Sequence, residues 1–254
     1  GITIGIGLLL YLSGVGCAHE LLRREAMVIV GLSWIEVSLL GALPYWFCEP
    51  GLGAFDAIFE SVSGFTTTGS TIITDLEQFP EAILLWRSVT QWLGGIGILV
   101  VFVAVLSFLG VGSRSIMQQE SSLNISDAGA SRIRDVAFTL LKVYLTLTFV
   151  CLGGLIALGM PIFESVCHAM CTIATGGFSP KNESIGHYQD LWIELWITAF
   201  MFLSSVGFML YVFFINRRWE RLKSEEEARY YLILIIAAVL AIALDLHFAA
   251  THYD

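Results

Sequence analysis

Long stretches without charge constrain this chain more than any other feature. Residues 1–18, 88–113, 143–163, 195–216 and 230–244 contain no Asp, Glu, Lys or Arg, and 26–48 contains only Glu36. A helix that crosses a bilayer core needs about 20 mostly apolar residues, so these runs read as membrane spans. Apolar residues make up 56% of the 254-residue chain and charged residues 14%, where a soluble domain carries about 25% charged residues. An ordinary soluble globule and a disordered chain are both excluded. The expected fold class is an all-α polytopic membrane protein with spans at 1–18, 26–48, 81–112, 135–160, 190–216 and 229–250. The chain opens on Gly1 inside an apolar run and ends just after another, so it is expected to be a truncated piece of a longer protein.

The basic residues set the orientation. Arg23 and Arg24 fall in the first gap, Arg114, Arg132 and Arg134 in the third, and Arg217, Arg218, Arg221, Lys223 and Arg229 in the fifth. The second and fourth gaps, 49–80 and 164–190, hold only Lys181. Positively charged loops stay in the cytoplasm, which places the odd gaps inside and the even gaps outside. Arg87 and Lys142 lie near span ends and are expected to snorkel. The formal net charge is −9, and much of it falls in the outer gaps, Glu60 and Asp75 included. A negative outer face raises local cation concentration and does not point to nucleic acid.

The two outer gaps share a pattern. In the first, Phe55-Asp56-Ala57-Ile58 begins an amphipathic segment over 55–65, followed by Thr66-Thr67-Thr68-Gly69-Ser70-Thr71. In the second, Phe163-Glu164-Ser165-Val166 lies in a short helical stretch over 162–173, followed by Ala174-Thr175-Gly176-Gly177-Phe178-Ser179. Counted from the phenylalanine, the first glycine comes one residue later in the first copy than in the second. A helix over 55–65 would be roughly 16 Å long at 1.5 Å per residue, too short for a core of about 30 Å but suited to a re-entrant segment. The spans that follow also correspond, Gly94-Gly95-Ile96-Gly97 paralleling Ser204-Ser205-Val206-Gly207. The unit of span, short re-entrant helix, Thr-Gly loop and span is therefore repeated, as is common in membrane transporters.

Such loops have a specific chemistry. Non-helical backbone at membrane depth is tolerated only where it is buried in protein or lines a water-filled path. There its carbonyl oxygens can replace an ion's hydration shell. Gly supplies the positive φ that lets successive carbonyls face one way, and Thr hydroxyls add oxygen ligands suited to hard cations. The short helix before each loop points its negative end at the ion path.

These residues carry a resemblance. Phe55 to Thr71, Gln91-Trp92-Leu93-Gly94-Gly95-Ile96-Gly97 and Thr175-Gly176-Gly177-Phe178-Ser179 resemble the Trk/Ktr/HKT superfamily of potassium transporters, and most of all its bacterial TrkH-type subunits. Leu40-Gly41-Ala42-Leu43-Pro44 and Gly110-Val111-Gly112 are similar as well. The resemblance implies repeated helix–pore loop–helix units around one central pore, four loops forming the filter. It assigns 1–20 to part of a leading helix pair and 21–112 to a first repeat with filter 66–71. A cytoplasmic loop follows over 113–133, then a second repeat over 134–216 with filter 174–179, and over 217–254 a basic loop and the first helix of a third repeat. Carried over, the potassium ligands are Thr67, Thr68, Gly69, Thr175 and Gly176, supported by Thr66, Ser70, Ala174 and Gly177. Gly69 stands where a serine goes with sodium preference in related plant transporters. The implied function is potassium uptake across the bacterial inner membrane, by a homodimer on a cytoplasmic TrkA-type nucleotide-binding subunit. A non-conducting scaffold fragment and a sodium-permeable member of the superfamily are the alternatives. No cofactor and no structural or catalytic metal is expected in this chain.

Cys167-His168-x-x-Cys171 places two thiols on one helical face. With one His they fall short of a closed metal site, and packing is the simpler reading. Neither a Gly-x-Ser-x-Gly elbow nor a His-Glu-x-x-His pair is present, so an intramembrane enzyme is disfavoured. Gly94, Gly95 and Gly97 are expected to allow close helix packing.

Overall fold

A computed structural model describes residues 5, 7, 12, 23–109, 125–215, 217, 219–220 and 226–252. Among these the regular structure is helical and no strand occurs. In chain order the helices are α1 (Arg23–Gly41), α2 (Leu43–Phe47), α3 (Ala54–Phe65), α4 (Glu81–Leu109), α5 (Ile125–Ala157), α6 (Ile162–Ile173), α7 (Leu191–Ser205), α8 (Phe208–Ile215) and α9 (Glu226–His252). Short 3-10 turns occupy Leu76–Gln78 and Ser184–Tyr188. The expected leading helix over 1–20 lies outside the described residues except at 5, 7 and 12, and so do Gly110-Val111-Gly112, Arg114, Arg218, Arg221 and Lys223.

Two stretches among the described residues, Val28–Phe47 and Ala137–Ala157, are long and apolar enough to cross a membrane. The apolar run 26–48 is interrupted at Ala42, where α1 ends and α2 begins with Pro44 in its first turn. Proline is accepted there because the first-turn N–H groups have no helical partner. The run 190–216 is likewise divided, into α7 and α8. Part of the segment expected as a loop over 113–133 is helix, since α5 begins at Ile125. Residues 125–134 contain no proline, and nothing obliges a helix to stop where the lipid does. With 33 residues, α5 is about 50 Å long.

The chain divides into two units, 1–204 and 205–254. In the first, α4 is central and packs against α1, α2, α3, α5 and α6. One core cluster joins Ala42, Tyr45, Ala57 and Ile83. Another joins Ile73, Leu76 and Leu84 and receives Phe163 from α6. The indole of Trp86 on α4 donates to the Gly41 carbonyl (3.0 Å), one of the acceptors freed where α1 ends. Trp196 on α7 donates to the Cys151 carbonyl, which lies inside α5 (3.1 Å). Each long helix after a loop is thus fastened to the helix before it. The second unit holds α8 and α9, and on α9 Leu234, Val239 and Ile242 are exposed.

Candidate functional site

The two short helices end alike. After α3, the N–H of Thr67 donates to the Gly64 carbonyl and that of Thr68 to the Ser63 carbonyl, both at 3.0 Å. After α6, the N–H of Thr175 donates to the Thr172 carbonyl (3.1 Å) and that of Gly176 to the Cys171 carbonyl (3.0 Å). This is the Schellman arrangement, in which the residue past the cap turns left-handed and is usually Gly. Here it is Thr in both loops, with φ of 54° at Thr67 and 54° at Thr175. A β-branched residue in that region is a genuine outlier, and such strain persists where the surroundings over-determine it, often at functional sites.

These bonds fix the register. Thr67 matches Thr175 and Thr68 matches Gly176, so Gly69 matches Gly177, with φ of 75° and 87°. The two helices end at the same point, so the one-residue difference in the sequence count comes from counting to the first of two consecutive glycines. Gly176 takes the place of Thr68.

The two loops meet through backbone. A Cβ on Gly69 would collide with the Gly176 carbonyl oxygen. Gly176 itself rests on the side-chain amide of Gln91, while a Cβ on Gly177 would meet open space. Thr66, Thr68, Ser70, Thr175 and Gly177 are exposed, Thr67 and Gly69 half-buried, and Ala174 and Gly176 buried. The glycines of α4 bring both loops to one helix. A Cβ on Gly94 would strike the Phe65 carbonyl at the end of α3, and one on Gly95 would lie 3.3 Å from the Cα of Ala174 as well as against the Tyr144 hydroxyl. On α7, the Ser204 hydroxyl donates to the Thr172 carbonyl at 3.2 Å.

Behind the first loop lies a polar cluster that the sequence reading missed. The Ser63 hydroxyl donates to the Ser70 carbonyl at 2.6 Å. Glu60 Oε1 accepts from the Thr71 hydroxyl and from the N–H of Ile72 (2.8 Å). Arg87 Nε lies 3.4 Å from Glu60 Oε2. Arg87 is only 1% exposed and Glu60 0%, so neither the snorkelling expected of Arg87 nor the outer-face role expected of Glu60 holds. For Arg87 the signal was available, since it falls within the expected span 81–112 and an ionisable residue within a span is a functional candidate by default. Their pairing was not, because 27 residues separate them.

The outer segments are tied separately. Asn182 accepts from the N–H of Leu76 (2.7 Å) and donates to Asp75 Oδ1 (3.0 Å). Hydrogen bonds from Asn182 and then Gln78 hold the Asp75 carboxyl below its usual range. The Tyr188 hydroxyl donates to Glu164 (2.7 Å), and burial followed by that carboxylate pushes the phenol up. Lys181 lies 3.3 Å from the same carboxylate. Cys48, Cys151, Cys167 and Cys171 are free thiols. Among the described residues no three His, Cys, Asp or Glu side chains are grouped to hold a metal.

Residues 3–244 match the family described as TrkH, a cation transport protein. The chain is 38% identical over 249 residues to the Trk system potassium uptake protein TrkH of Halomonas elongata, covering 97% of this chain and 52% of that protein. It is 35% identical to the Trk system potassium uptake protein TrkG of Escherichia coli, covering 87% of this chain and 46% of that one. The crystal structure of the potassium transporter TrkH from Vibrio parahaemolyticus superposes with a TM-score of 0.72 at 34% identity, over 83% of this chain and 42% of that chain. The chain therefore spans about half the length of the curated relatives it matches. On these grounds it is a helical membrane protein that belongs to the TrkH family of cation transport proteins.

Proposed function

We propose that this chain supplies two of the four filter loops of a potassium-uptake protein in the bacterial inner membrane. The observation that carries the reading is the matched pair of left-handed threonine turns, with the strands after them abutting at Gly69 and Gly176. The short helices then act as re-entrant pore helices. Carbonyl oxygens over 67–69 and 175–177, with the threonine hydroxyls, replace the water around a potassium ion. In the structural register Gly177 stands as the partner of Gly69, and Gly176 serves as the contact between strands. The names of the relatives favour transport over catalysis. The complete protein is proposed to span the membrane several times, to form a homodimer and to dock a TrkA-type nucleotide-binding subunit, with no cofactor in this chain.

The test is rubidium uptake, with and without competing sodium, in potassium-uptake-deficient cells carrying the full-length protein. Gly69→Ser is expected to weaken potassium-over-sodium discrimination. Unchanged selectivity removes Gly69 from the filter. Failure of the unaltered protein to take up rubidium favours the non-conducting scaffold, and uptake without discrimination favours the sodium-permeable alternative.

A further inference from the structure

We infer that Arg87 is a positioning residue for ion selection, holding the two loops at a fixed separation; this rests on the filter reading above. Its guanidinium reaches three places. Nε faces Glu60 Oε2 on α3 at 3.4 Å. Nη2 donates to the Thr71 hydroxyl at the end of the first loop (3.2 Å). Nη1 donates to the Ser179 carbonyl at the end of the second (3.1 Å). The face of Phe178 lies 4.1 Å from Cζ, within the reach of a cation–π contact.

Fold stability alone accounts poorly for this arrangement. A buried ion pair costs desolvation that its attraction often fails to exceed, and a well-packed apolar pair serves stability as well or better. What the arginine supplies is geometry. Its donors form a rigid planar fork that can address several acceptors at once, whereas lysine is a point charge on a flexible stem. One helical turn further along α4, Gln91 Oε1 accepts from the N–H of Phe178 at 3.2 Å. Two side chains of α4 therefore hold the backbone that follows Gly177. Counting from the matched Trp86 and Trp196, the corresponding places on α7 are Ile197 and Met201. The second loop is held by the helix that follows the first loop, and its own following helix has apolar residues at those places.

The experiment measures rubidium half-saturation and sodium competition in the full-length protein, normalised to its abundance in the membrane. Arg87→Gln is expected to lose about tenfold in potassium-over-sodium discrimination, the size of one or more charge-assisted hydrogen bonds. Arg87→Lys is expected to lose nearly as much, because charge without the fork does not span the loops. Thr71→Val, which keeps the β-branched shape and removes one arm, is expected to lose about threefold. Unaltered discrimination in Arg87→Lys overturns the inference. Where neither arginine variant reaches the membrane, unaltered discrimination in Thr71→Val overturns it. If Gly69→Ser leaves discrimination intact, the filter reading fails on its own, independently of Arg87.

Discussion

The loops over 66–71 and 174–179 share a backbone and differ in what stands behind it. Both follow a 12-residue helix and both turn left-handed at a threonine. At matched places in those helices, the first has Glu60, which is paired with Arg87, and the second has His168. The Nε2 of His168 has no hydrogen-bond partner among the described residues, and its ring meets the edge of Tyr188 at 5.7 Å. The turn is therefore independent of any particular side-chain network. The helix-end carbonyls dictate it, and the surroundings determine only how firmly it is held.

Breaking the polar support gives the largest expected effect. Glu60→Gln leaves the Arg87 charge buried without its partner and should cost about 3–5 kcal/mol, while His168→Gln should cost less than about 1 kcal/mol. Chemical unfolding in detergent micelles measures both, and equal losses would end the distinction between the loops. The next effect separates the matched glycines. Alanine at Gly177 meets only the left-handed penalty of about 1–2 kcal/mol. At Gly69 its Cβ also strikes the Gly176 carbonyl. Rubidium uptake and its discrimination against sodium should therefore both fall further in Gly69→Ala than in Gly177→Ala.

A smaller effect tests the shared feature. Thr67→Gly and Thr175→Gly each relieve a left-handed β-branched residue and should each stabilise the fold by about 1 kcal/mol or less, with rubidium affinity reduced as a hydroxyl is lost. Different gains in the two loops would show that the turns are not equally strained. The smallest effect concerns Asp75. Its folded pKa is depressed, so its contribution is fully present above the unfolded value of about 3.9 and is lost as pH falls through the lower folded value. Limited proteolysis of the outer segments should be unchanged between pH 7 and pH 5 and should accelerate only below pH 4. Asp75→Asn should remove that acid dependence.

The ends of the short helices were legible because their signals are local. Gly53 and Pro161 stand immediately before them, and Thr-Gly runs follow. The gap in 26–48 was also open to reading, since Pro44 has no N–H to donate to a helix continuing from α1. The left-handed threonines were not, because nothing in a threonine announces positive φ. The register was not, because Gly176 and Gly177 are adjacent and only hydrogen bonds show which one matches Gly69. Arg87 and Glu60 were misread for another reason. Arg87 lies at the edge of an apolar run and Glu60 in a polar gap, where composition alone favours water over a partner brought in by folding.

Consecutive residues on a helix point about 100° apart, so Gly94 and Gly95 of α4 address two different neighbours. One glycine admits the end of α3, the other the strand that leaves α6. The helix is thus a party wall, built as part of the first sequence repeat and leaned on by the second. A chimera that exchanges residues 21–112 with a relative would carry off the wall that the remaining loop rests against. The natural unit of exchange in this chain is both loops together with α4.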